Sequence, residues 1–259
     1  MIVYPRAKVN IGLRIIGKRI DGFHDLETFF ISAGKSDVLE VTESNELKIN
    51  LFGLTLDSDP MQNLCVKAYN AMKEEFDIPP VEINLFKRIP FGAGLGGGSS
   101  DASGTIIAIN KLYGLNLSSE KLAEIASKVG SDCPFFIYAD ELNPLLGEGM
   151  IGRGRGNILT SYRIPSLESY EIEVEVPNVQ VPTPEAYRGI TPSGAGEPLE
   201  KLLEQPVEMW KDSVINDFEK SIFAKYPEIE QLKHNMYARG AIYASMSGSG
   251  SAVYGLFSR

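Results

Sequence analysis

Pro90-Phe-Gly-Ala-Gly-Leu-Gly-Gly-Gly-Ser-Ser-Asp101 places five glycines within the seven positions 92 to 98. Upstream, Val81, Ile83, Leu85 and Ile89 point to one face of a strand, and downstream Ala102 to Tyr113 reads as an apolar helix ended by Gly114. Glycine permits positive φ and lets a ligand approach the backbone closely. Successive N–H groups then converge on an anion. The start of the following helix adds unsatisfied donors and about half a positive charge. Pro90, Phe91, Gly92, Ala93, Gly94, Leu95, Gly96, Gly97, Gly98, Ser99 and Ser100 therefore read as a phosphate cradle for a nucleotide. A glycine-rich turn that binds nothing is the plain alternative, but this much glycine weakens a fold unless something compensates.

The stretch contains Gly92-x-Gly94-x-x-Gly97, a weak match to the dinucleotide fingerprint. A dinucleotide fold would follow the helix with a second strand ending in an acidic residue about 20 residues on. Here a second helix, Glu120 to Val129, follows instead, with Ser118 and Ser119 available to cap it. The Gly-Lys-Ser/Thr of a P-loop is missing too. Another glycine loop, Ser245-Met-Ser-Gly-Ser-Gly-Ser251, lies between apolar segments near the C-terminus. Paired with the first it suggests a two-sided pocket. Neither loop forms a Gly-x-Ser-x-Gly elbow, which disfavours a hydrolase triad.

The 259 residues carry 25 Lys plus Arg against 34 Asp plus Glu, a formal charge of −9. That balance argues against a nucleic-acid-binding surface. The two cysteines, Cys65 and Cys133, read as buried thiols in a reducing compartment, and two histidines, His24 and His234, make a zinc site improbable. The first residues lack the apolar core of a signal peptide, and no segment approaches the ~20 apolar residues of a membrane span. A cytoplasmic protein without membrane partners is expected.

Strands and helices alternate irregularly, which predicts an α+β fold. Strands are expected near residues 1–16, with a turn at Asp21-Gly22, and at 37–41, 47–51 and 170–176. A helix is expected over 62–76, two or three more over 199–238, a loop at 191–198, and strand, glycine loop, strand over 241–257. In the last predicted strand before the C-terminal helices, Ile172, Val174 and Val176 are expected inward and the glutamates between them outward. Glycines 147, 149, 152, 154 and 156 crowd together with Arg153 and Arg155, which suggests a boundary between domains 1–147 and 148–259.

Three segments together resemble the GHMP kinase superfamily: Ala7-Lys-Val-Asn-Ile-Gly-Leu13, the cradle in a long triple-glycine form, and Met246-Ser-Gly-Ser-Gly-Ser-Ala252. Gly17-Lys-Arg-Ile-Asp-Gly-Phe-His24, Gly130-Ser-Asp-Cys-Pro-Phe-Phe136 and Val181-Pro-Thr-Pro-Glu-Ala-Tyr187 are similar to its branch acting on a cytidine-diphosphate-linked methylerythritol. The resemblance spans the chain. It implies a two-domain fold of mixed sheets packed with helices, with the active site in the cleft between domains. It also implies ATP as phosphoryl donor with Mg²⁺, and phosphorylation of the substrate's 2-hydroxyl in the non-mevalonate isoprenoid route.

By the same resemblance Asp132 is the general base, a role worth ~10²–10⁴-fold in rate. Lys8 sits beside it, keeps it ionised and compensates developing charge. Asn10 and Thr183 contact the substrate, Phe23 and Tyr187 stack on cytosine, and His24 hydrogen-bonds it. Asn63 and Lys87 are candidates on the adenosine side, and Ser99 or Ser100 could offer Mg²⁺ a hydroxyl. Read without the resemblance, Asp132 is a helix cap before Pro134, Lys8 an exposed strand lysine and His24 a surface residue. Asn157 stands where the superfamily often carries glutamate, and Tyr187 where phenylalanine is more familiar. A kinase for a mevalonate- or homoserine-type acceptor and a non-catalytic nucleotide-binding protein are the competing functions; the acceptors of the first carry no base for Phe23-His24 and Tyr187, and a pure binder has no need of a general base, against which Lys8 with Asp132 argues.

Overall fold

The computed structural model describes residues 1–259 except 55–58, 193 and 195. In chain order the first half forms β1 (Ile2–Val3), β2 (Arg6–Lys18), β3 (His24–Ser36), β4 (Val38–Glu43), β5 (Lys48–Gly53), α1 (Leu64–Glu75), β6 (Val81–Lys87), α2 (Gly97–Leu112), α3 (Ser119–Val129) and α4 (Cys133–Ala139). The remainder forms β7 (Glu148–Gly154), β8 (Ile158–Arg163), β9 (Tyr170–Glu175), α5 (Thr183–Arg188), α6 (Leu199–Leu203), α7 (Glu219–Lys225), α8 (Pro227–Ala238), β10 (Tyr243–Met246) and β11 (Val253–Ser258). Packing divides the chain into two units: Met1–Ala7, Lys35–Phe91 and Gly96–Glu141 form one, and Lys8–Gly34, Gly92–Leu95 and Leu142–Arg259 the other. The division is not a single cut at 147/148, because β2 and β3 share a sheet with β7 and β8.

The first unit is a mixed sheet in the order β1-β4-β6-β5. Along β6 the residues Val81, Ile83 and Leu85 are buried while Glu82, Asn84 and Phe86 are not, the period of a half-buried strand. Leu39 and Val41 of β4 face Leu85 and Ile83 across antiparallel pairs, and β5 runs parallel to β6. These inward side chains join Cys65, Ala68 and Met72 of α1, Ile106 and Ile109 of α2, and Ile125 of α3 in one core. Ser118 caps α3 by accepting from the Lys121 amide, as expected. Helix α2 begins five residues before the expected Ala102, taking Gly97 to Asp101 into its first turns.

The second unit holds the sheet β2-β3-β7-β8 and a smaller sheet, β10-β11-β9. From Ala7 to Ile15 every residue of β2 is buried, so this strand is covered on both faces. The crowded glycines expected to mark a boundary form the β7–β8 hairpin instead. A Cβ on Gly149 would lie 2.3 Å from the Phe30 carbonyl oxygen, and one on Gly152 only 2.4 Å from the Phe30 ring. Glycine is required there by close packing against β3, not by a linker. In β9 the expected alternation is blurred: Ile172 and Val174 are half-buried, as are Glu173 and Glu175, which pair with Arg239. The loop at 191–198 includes positions 193 and 195, which lie outside the described residues.

Candidate active site

In the second unit three stretches far apart in sequence meet at one carbonyl. The Gly94 oxygen accepts from Lys8 Nζ at 2.9 Å and from Ser247 Oγ at 2.9 Å. Gly94 has φ +78°, and a Cβ there would lie 2.0 Å from the Ser247 carbonyl oxygen, so no side chain fits. Backbone bonds lock the meeting: Lys8 N donates to Leu95 O at 3.0 Å, and Ala252 N to Ala93 O at 3.0 Å. The second glycine loop is held from behind by Asn216, whose Nδ2 donates to the carbonyls of Met246 and Gly248, each at 2.8 Å.

Lys8 is 4% exposed and so is not a surface strand lysine. An ammonium taken out of water needs strong acceptors around it. Besides Gly94, Lys8 Nζ donates to Asn10 Oδ1 at 2.6 Å and lies 5.5 Å from the centroid of the Phe30 ring. Asn10, itself buried, donates through Nδ2 to Thr28 Oγ1 at 3.0 Å. The Tyr254 hydroxyl fixes its backbone by donating to Asn10 O at 2.9 Å.

In the first unit the cradle rests on a buried ion cluster. Lys87 Nζ lies 2.5 Å from Asp37 Oδ2 and 2.6 Å from Asp101 Oδ2. Asp37 Oδ1 also accepts from the Arg88 and Ile89 amides, immediately before Pro90. Burial opposes the Lys87 ammonium, but Asp101 and Asp37 outweigh it and hold the group above the ordinary lysine value. Burial pushes the Asp101 carboxyl well up, against the pull of Lys87, and its Oδ1 has no partner. Gly97 presses on this cluster: a Cβ there would lie 3.2 Å from Lys87 Nζ and 2.9 Å from Ile89 Cγ2. Lys87, 1% exposed, is thus not placed as a nucleotide contact; it ties the entry of the loop to the first turns of α2. Gly92, Gly94 and Gly96 all have positive φ, and Gly96 leaves α2 without a side-chain cap, so its first amides remain for an anion.

Asn63 caps α1, its Oδ1 accepting from the Cys65 amide at 2.9 Å. Asp132 stands half-buried at the start of α4, yet its side chain makes no capping hydrogen bond. The capping explanation therefore does not account for this carboxylate. Ser100 is buried, and Ser99 lies half-buried in the same turn. Among the described residues no three His, Cys, Asp or Glu side chains form a group able to hold a metal.

The expected base-binding residues lie in the second unit. The His24 ring stacks on Tyr187 with centroids 5.0 Å apart and planes inclined by 28°. Tyr187 is braced edge-on by Phe218 at 4.9 Å. Phe23 is 50% exposed, and the Arg155 guanidinium lies 3.6 Å over its ring. Thr183 begins α5, its hydroxyl 3.3 Å from Ser249 Oγ of the second glycine loop.

Comparison with known proteins gives the family. Residues 63–140 match the GHMP kinases N terminal domain, and residues 194–259 the GHMP kinases C terminal domain. A 4-diphosphocytidyl-2-C-methyl-D-erythritol kinase of Bacteroides fragilis is 45% identical over 262 residues, covering all of this chain and 92% of its own. The kinase of that name from Parabacteroides distasonis is 42% identical over 259 residues, with the same coverage. A crystal structure of a 4-(cytidine 5'-diphospho)-2C-methyl-D-erythritol kinase superposes with a TM-score of 0.78 at 34% identity, covering 99% of this chain and 90% of that one.

The chain belongs to the 4-diphosphocytidyl-2-C-methyl-D-erythritol kinases. Within this kinase family's frame, several supporting residues carry no motif that sequence reading could use. Asn216 and Thr28 lie in unremarked stretches, and Asp37 reads only as the first residue of the strand expected at 37–41. Asp101 is the exception, because it closes the glycine stretch itself.

Proposed function

We propose that the protein is a kinase that moves the γ-phosphoryl of ATP onto the 2-hydroxyl of 4-diphosphocytidyl-2-C-methyl-D-erythritol, leaving ADP. The single observation that carries this reading is the buried Lys8 ammonium, fixed by Asn10 and the Gly94 carbonyl where both glycine loops meet. Phosphoryl transfer asks for positioning and charge compensation rather than covalent help. A lysine held rigid in a poorly solvated place supplies that charge without reorganising during the reaction. Residues Gly92 to Ser99 bind the triphosphate through backbone amides. Asp132 takes the proton of the attacking hydroxyl, the hydroxyl oxygen bonds to the γ-phosphorus, and the bond to the β-phosphate oxygen breaks.

Cytosine stacks on Phe23 and Tyr187, with His24 as its polar partner. The Arg155 guanidinium over Phe23 and the His24 imidazole on Tyr187 support reading both rings as stacking surfaces. Thr183 and Asn10 contact the remainder of the substrate. ATP brings Mg²⁺ with it as part of the substrate, since Ser99 and Ser100 offer hydroxyls at the loop and the described residues form no carboxylate cage. A reaction that consumes ATP, in a chain with two buried free thiols, fits the cytoplasm.

The decisive experiment is ADP release by the purified protein on adding 4-diphosphocytidyl-2-C-methyl-D-erythritol, with mevalonate and homoserine as controls. Release with the cytidyl substrate alone is expected. Release with mevalonate or homoserine at a comparable kcat/KM would overturn the substrate assignment.

A further inference from the structure

We infer that Thr28 is a positioning residue for Lys8, acting through Asn10; this rests on the role given to Lys8 above. Thr28, on β3, is fully buried. Its hydroxyl has one proton, which goes to the Gly12 carbonyl at 2.5 Å. With that proton committed, the oxygen can only accept from Asn10. The Asn10 amide is thereby obliged to turn its NH₂ toward Thr28, at 3.0 Å, and its carbonyl oxygen toward Lys8, at 2.6 Å.

The acceptor that starts this relay is itself a special feature of β2. Gly12 has φ +64° within the strand, and a Cβ there would lie 2.8 Å from Leu199 Cδ1. A left-handed residue inside a strand turns its peptide out of the ladder. Its carbonyl is thus presented to a side chain on the neighbouring strand. An amide rotated by half a turn would aim NH₂ at the ammonium, donor against donor. The Thr28 hydroxyl forbids that state. Fully buried and bonded to Gly12 and Asn10, it acts only through Asn10, setting the polarity of the contact that holds the lysine.

The test separates the hydroxyl from the methyl. Thr28→Val keeps the shape and removes the hydroxyl; Thr28→Ser keeps the hydroxyl and leaves a void. The expected result is a kcat loss of about 10–100-fold for the Val variant, the scale of a mispositioned catalytic group. KM for ATP should change by less than about threefold, as a loss confined to the transition state predicts. The Ser variant should keep kcat near wild type, because both hydrogen bonds of the hydroxyl are retained. Equal kcat values for Val and Ser would overturn the proposal. Should the Val variant fail to fold, Thr28→Ala against Thr28→Ser makes the same comparison. The amide orientation can also be read without substrate: the Asn10 side-chain NH₂ should exchange slowly by NMR in wild type and Thr28→Ser, and fast in Thr28→Val. Equal exchange in all three overturns the relay. A wild type that exchanges slowly but does not release ADP would instead overturn the function assigned above.

Discussion

Asp132 is a carboxylate for which α4 has no structural use. It occupies the cap position before Pro134, with a backbone already helical at φ −86° and ψ −15°, and its side chain bonds to no amide of the first turn. An ordinary cap would have a β-region backbone and a side chain turned back on the helix. Removing its charge should therefore cost the fold little and the reaction much. Asp132→Asn is expected to leave Tm and the Kd for ATP close to wild type while lowering kcat at least ~100-fold, the lower end for a lost general base. Turnover within tenfold of wild type would remove Asp132 from that role. Lys8 is bonded on two sides and buried, so a change there would mix stability with rate, whereas Asp132 offers a clean reading.

At the scale of elements, the glycine loop is only as rigid as its two ends. Both are fixed by the Lys87 cluster: Asp37 holds the Arg88 and Ile89 amides at the entry, and Asp101 draws the first turns of α2 onto the same ammonium. Breaking a buried pair by removing one partner leaves charge uncompensated. Lys87→Met would strand two carboxylates and is expected to cost about 3–5 kcal/mol in urea unfolding. A loss below about 1 kcal/mol would show that water reaches the cluster and that the loop does not depend on it. This arrangement also shows what could be read in advance. Elements with clean periodicity, such as β6 and α3, were legible because alternate or one-sided burial leaves its mark in sequence. The β7–β8 hairpin was not, because glycines needed for contact with Phe29 and Phe30 look the same as glycines of a linker. Likewise Lys87, just before the glycine loop, reads as a candidate on the adenosine side. Only the fold brings Asp37, fifty residues earlier, against it. The motif residues of the site were legible as chemistry, while the residues orienting them, Thr28 and Asn216, use common hydrogen bonds that leave no pattern.

For the whole molecule, several buried titratable groups move stability in one direction. Burial pushes the Cys133 thiol up to about 11 and raises Cys65 as well. Burial likewise raises the Tyr243 and Tyr254 hydroxyls, and the carboxylates around Lys87, opposing its burial, raise that ammonium. Each of these groups holds its proton in the folded protein to a higher pH than in the unfolded chain. Above pH ~9, the ordinary thiol value, the unfolded state therefore binds fewer protons and stability falls as pH rises. Cys133 alone contributes a slope of about 1.4 kcal/mol per pH unit between its ordinary value and about 11. The stabilising contribution is complete below that window and is lost across it. Under reducing conditions, the urea midpoint should hold steady from pH 7 to 8.5 and then drop progressively from pH 9 to 11. Cys133→Ala should flatten the early part of that drop, although removing the side chain lowers the midpoint at every pH. A midpoint that stays level through pH 10.5 in wild type would mean that both thiols ionise as freely in the native protein as in the unfolded chain, which their burial within the first unit's core forbids.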